Sequence, residues 1–155
     1  MSRARGPVIS GFAALAVGVC TVLFTSGCGS EPVKYDETTI KAADQFRKVA
    51  VAYNQAAQRK RSGPVSAEVL KPFLKEHGDP DAMLVSPLDG KPIVIVPGIT
   101  PGAEPGDDEQ MIVAYEQEGV NGKRMTVDIR GTVVIVTDDE FAKIKFVGGH
   151  KPAGR

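Results

Sequence analysis

The chain has 155 residues with 19 basic and 19 acidic side chains, so its formal net charge is zero. Without the basic excess that a phosphate backbone demands, nucleic acid is not an expected partner. Two cysteines leave no disulfide framework, so the fold must be held by its core.

The first segment has the three parts of a targeting signal. Arg3 and Arg5 give a positive start, and Pro7 to Phe24 is uncharged and rich in Ala, Val, Leu, Ile and Phe. Small residues then lead into Cys28. Ser26-Gly27-Cys28 resembles the lipobox of bacterial lipoproteins, with Thr25 standing where leucine is usual. The resemblance implies cleavage after residue 27, a lipid on Cys28, and an exported protein anchored to a membrane of the cell envelope, facing the periplasm or the surface. An uncleaved anchor is the first alternative, because the 18 residues of the run would span roughly 27 Å as a helix. Gly11, Gly18 and Pro7 weaken such a helix. A prepilin signal cut between Gly11 and Phe12 is the second, and Ala16 stands where the prepilin glutamate is expected.

Cys20 falls in the segment to be removed, which leaves Cys28 as the one cysteine of residues 28–155. That length suits a single domain. Residues 29–35 form a polar tether, which reaches at most about 25 Å. Asp36 to Arg61 is then expected as a helix. Thr39, Ala42, Ala43, Phe46, Val49, Ala50, Tyr53, Ala56 and Ala57 share one face at a 3.6 period. Asp36 or Thr38 is the expected N-cap, Arg59-Lys60-Arg61 suits the negative C-terminal end, and Ser62-Gly63-Pro64 stops the helix. Ser66 should cap a second, shorter helix through about His77, kinked or restarted at Pro72.

Beyond Gly78-Asp79-Pro80 the period changes to two. Residues 83–85, 93–96, 111–116, 124–129 and 132–136 read as strands. Asn121-Gly122 is a hairpin signal and Arg130-Gly131 allows a two-residue turn, so the pairing should be antiparallel. Thr137 to Glu140 has the form of a capping box that opens a last short helix, with Phe141 and Ile144 inward. The expected fold is α+β: a long helix on an antiparallel meander of four or five strands. The domain should span residues 36–147, with a frayed, flexible tail over 148–155.

A long helix followed by such a meander resembles the globular part of type IV pilins and type II secretion pseudopilins. Ala52-Tyr53, Gly63-Pro64, and Arg130-Gly131-Thr132-Val133 leading to Asp138, Asp139, Glu140 and Phe141 carry the local likeness. Arg130 replaces the usual aspartate, and the transmembrane first half of the pilin helix is missing. The resemblance therefore implies a pilin-like fold more directly than a pilus-type assembly.

Few residues suggest chemistry. His77, in Glu76-His77-Gly78-Asp79, has no second histidine at helical spacing and reads as a cation beside a helix end. His150 lies in the expected tail. Glu104, Asp107, Asp108 and Glu109 crowd a Pro/Gly-rich loop, the kind of hard-oxygen cluster calcium uses, and the resembled pseudopilins hold calcium in a loop of their sheet region. Against that, no EF-hand-like spacing is present. Ser66 and Ser86 suit cap and turn roles, and Glu116 and Glu118 read as an exposed pair on one strand face. Arg59-Lys60-Arg61 can touch anionic headgroups, though helix-end electrostatics accounts for it with fewer assumptions. No nucleophile elbow, Walker loop or dinucleotide fingerprint is present. The expectation is a lipid-anchored envelope protein with a non-enzymatic binding or structural domain, no cofactor, and an envelope protein as partner. A pilin-like assembly subunit is the alternative.

Overall fold

The computed structural model describes residues 36–152. The signal segment, Cys28 and the tether lie outside the described residues.

The first helix, α1, covers Glu37–Lys60. Its N-cap is Asp36, whose side chain accepts from the Thr39 N–H at 2.6 Å. That bond holds the Asp36 carboxyl below its usual value, as expected for a carboxylate on orphan helix donors. At the other end Arg61 is left-handed, with φ 54°, and the Ser62 N–H closes the cap on the Ala57 carbonyl at 3.2 Å. The apolar stripe reads inward: Ala42, Phe46, Val49, Ala50, Tyr53, Ala56 and Ala57 are all buried, and Ala52 joins them. Five alanines on that face keep the backbone close to its neighbours, so Phe46 and Tyr53 carry most of the interlocking volume.

Four strands form one antiparallel sheet in the order β1-β3-β4-β5. They are β1 (Ile93–Ile95), β3 (Ile112–Glu116), β4 (Lys123–Asp128) and β5 (Val133–Thr137). Between β3 and β4, Asn121 and Gly122 both take positive φ, 54° and 70°. This is the turn whose twist matches a right-handed hairpin. From β4 to β5 the loop has three residues, not the expected two: the Asp128 N–H donates to Thr132 O, and Gly131 takes φ 83°. The Asp128 carboxylate stabilises it by accepting from the Arg130 and Thr132 N–H groups.

Helix α1 packs on β3 and β4 from one side. A short helix, α4 (Asp138–Lys143), opens with the capping box of Thr137 and Glu140. The Thr137 bonds hold the Glu140 carboxyl low. After α4, β6 (Lys145–Phe146) pairs in parallel with β2 (Glu109–Gln110). Tyr115 of β3 meets Phe141 at 5.0 Å and Phe146 at 5.5 Å between ring centroids. The central strand is thus covered on both faces, and all five residues of β3 are buried.

Three further sequence expectations about the fold need correction. Residues 83–85 are not a strand. Asp79 caps a helical turn, α3 (Pro80–Met83), and only Val85 keeps a single bridge, to Pro92. The second helix is split into a 3-10 turn at Ala67–Val69 and α2 (Lys71–Leu74), with Pro72 in its first turn and no side-chain bond from Ser66. The expected frayed tail is folded back as far as the described residues run. His150 Nε2 lies 3.0 Å from the Tyr115 hydroxyl, and Pro152 is buried. Burial there lowers the His150 pKa.

Gly63 shows why the stop after α1 is so short. A Cβ placed on it would meet the backbone of Gly98 at 2.3 Å and of Ile99 at 2.5 Å. The two segments are joined there by the Gly98 N–H on Pro64 O. Gly63→Ala is therefore expected to force the backbones apart and lower stability by about 1–3 kcal/mol. A urea midpoint unchanged from wild type would refute that close approach.

Candidate functional site

Two groups that the sequence separates by 30 positions meet in the interior. The Ser86 hydroxyl donates to Glu116 Oε1 at 2.5 Å, and the Met125 N–H donates to Oε2 at 2.7 Å. Glu116 is 1% exposed and Ser86 also 1%. Burial raises the Glu116 carboxyl above its usual value and outweighs the two bonds, which favour the charged form. Ser86 is occupied in turn, since its oxygen accepts from the Leu88 N–H at 3.1 Å. Asp89 completes the junction by accepting from the backbone N–H groups of Lys91 and Gly119. These bonds fasten loop 86–91 to the end of the β3–β4 hairpin. A hydroxyl enclosed in this way cannot meet a substrate, so the pair is an internal brace.

The brace floors a hollow of about 400 Å³, bordered by Asp36, Thr39, Leu88, Lys123 and Arg124. Arg124 is held over the Phe141 ring at 4.2 Å and bonds Asp138 Oδ1 at 2.7 Å. Next to it lies a second hollow of about 310 Å³ between α1 and β5, where Ile40, Ala43, Val133 and Ile135 meet Arg47. Thr39, Met125 and Ile135 border both. The two form a continuous shallow groove along the first half of α1. Its mouth carries the aliphatic side chain of Ile40, 59% exposed. A shape of this kind suits a chain or surface laid along it more than an enclosed small molecule.

The residues singled out from sequence are dispersed. Glu116 and Glu118 are not an exposed pair: Glu116 is buried, while Glu118 lies beyond β3 and approaches Lys91 at 3.7 Å. Within loop 104–109, Glu109 accepts from the Gly106 N–H and Asp108 faces Lys145 at 3.4 Å. Among the described residues no group of three His, Cys, Asp or Glu side chains is placed to hold a metal ion. His77 follows α2, its N–H donating to Leu74 O, and its buried Nε2 has no partner among the described residues. Arg59 and Lys60 occupy the last turn of α1. Cys28 lies outside the described residues. Sequence reasoning missed the Glu116 brace. The available signal was a glutamate continuing an apolar run, Ile112 to Tyr115, with no turn residue before it.

No helix among the described residues is long and apolar enough to cross a membrane. No family model, curated protein or solved structure matches the chain.

Proposed function

We propose that the chain is a bacterial envelope lipoprotein, anchored through Cys28, whose α+β domain binds or braces another envelope component without catalysing a reaction. The observation that carries the reading is the order of the first residues: Arg3 and Arg5, an uncharged apolar run, then Ser26-Gly27-Cys28. Two acyl chains on one cysteine give stable anchoring where a single chain is marginal. The domain supports the non-catalytic part of the reading. Its buried carboxylate and serine are spent on each other, and its open feature is a groove with an aliphatic rim.

A pilin-like subunit is the second reading, favoured by the packing of α1 on a four-stranded antiparallel sheet. The two differ at the mature N-terminus. A lipid-blocked Cys28 and a free Phe12 are exclusive outcomes of N-terminal sequencing. Fatty-acid labelling in a bacterial host gives the second check. Cys28→Ala should abolish both the label and recovery in the membrane fraction, and label persisting in that variant would sink the lipoprotein reading.

A further inference from the structure

We propose that β5 is a self-association edge, and that two copies of the chain join β5 to β5 antiparallel, making one continuous sheet of eight strands. The two edges of the sheet are treated differently. At the β1 edge the Ile93 N–H is used by Leu84 O at 2.8 Å, Val85 bridges Pro92, and Pro97 follows the strand. The β5 edge has no such cover among the described residues. Its sequence is Val-Val-Ile-Val-Thr, with no charge, proline or glycine to discourage another strand.

The hydrogen-bond pattern fixes which groups are free. Asp128 N–H donates to Thr132 O, and Asp138 N–H to Gly122 O. Even-numbered residues of β5 therefore turn their backbone toward β4, and by the two-residue period Val133 and Ile135 turn theirs outward. Four polar backbone groups stand on the edge. A two-fold axis at Val134 places Val133 opposite Ile135 of the second copy, and all four are then paired. Val134 faces its own counterpart across the axis in a non-hydrogen-bonded pair, where side chains approach most closely. This covers the aliphatic group that is 49% exposed in the single chain.

Charge selects the second copy and its direction. The β5 edge has a basic end at Arg130 and an acidic end at Asp138 and Asp139. Arg130 and Asp139 enter no ion pair among the described residues. With Val134 on the axis, Arg130 of one copy lies opposite Asp138 of the other, beside Asp139, and the contact occurs twice by symmetry. Parallel pairing would set basic end against basic end. Exposed pairs of this kind add little energy but fix orientation. The hollow beside β5, with Ile40 at its rim, borders the same edge and extends the surface to be covered.

The test uses the full-length chain purified from membranes in mild detergent. Light scattering should give twice the protomer mass, and Val134→Lys should weaken association at least tenfold while leaving the circular dichroism spectrum unchanged. Val134→Cys should form a disulfide-linked pair of chains on mild oxidation, whereas Val65→Cys, on a site 75% exposed elsewhere, should not. Arg130→Glu should weaken association, and adding Asp139→Lys to it should restore it. A wild-type protein that stays monomeric at the highest attainable concentration would overturn the proposal. So would a Val134→Cys chain that cross-links to a different protein, or equal cross-linking through Val65→Cys.

Discussion

Phe46→Ala is expected to lower the stability of the soluble domain by about 3–5 kcal/mol, the usual cost of emptying a buried aromatic site. Phe46 is fully buried on α1, and its neighbours along the stripe are mostly alanines. Short side chains cannot swing in to fill the space, which puts the cost at the upper part of that range. A small domain has only about 5–15 kcal/mol to lose. Urea unfolding followed by circular dichroism should show a much lower midpoint with an unchanged slope. A midpoint within experimental error of wild type would mean that the stripe is not the core.

Glu116 should respond in two opposite ways. Glu116→Leu leaves the Met125 N–H and the Ser86 hydroxyl without an acceptor in a dry site, at about 1–3 kcal/mol for each orphaned group. Glu116→Gln keeps an acceptor for Met125 and an amide to donate to Ser86, so the fold should survive. Its effect appears in the pH profile. Burial raises the folded Glu116 carboxyl above 4.5, so the folded state holds the proton more tightly than the unfolded one. Stability from this group is therefore present below about 4.5 and lost as pH rises through the raised value. Asp36 and Glu140, whose carboxyls are depressed by capping bonds, act in the opposite direction. Their contribution is present above the unfolded values and fails as pH falls through the depressed ones. Stability of Glu116→Gln measured against pH should lack the decline above 4.5 and keep the loss in acid. A profile parallel to wild type would show that Glu116 carries no strained charge.

Much of the fold is legible where the signal is local. Helix α1 combines a period, an acidic cap and a basic last turn within one stretch, and the Asn121-Gly122 turn states its own geometry. What escapes depends on distant partners. An alternating reading assigns Glu116 to water because it assumes a sheet with one wet face. Here Phe141 and Phe146 close the second face over Tyr115, while on the α1 face Ser86, 30 positions earlier, and the Met125 N–H enclose Glu116, so no residue of the strand is left to water. Residues 83–85 look like a strand by composition, yet Asp79-Pro80 starts a helical turn that uses up their backbone. The β2–β6 pair joins two-residue segments, too short for any period to register. His150 reads as part of a polar tail because nothing nearby in sequence announces Tyr115.

Asn54 on α1 donates its amide to Ile129 O across 75 positions of sequence. Tyr53, its pKa pushed up to about 12 by burial, spans the gap to Val96 and Ile99. On a ribosome adding about 5–20 residues per second, the helix waits roughly 4–15 s for the strand that completes its site. Through that interval the alanine-rich stripe lacks part of the sheet it packs on, and a lone helix of this length is marginal in water. The order of elements along the chain thus postpones completion of the core until its last strands have been synthesised.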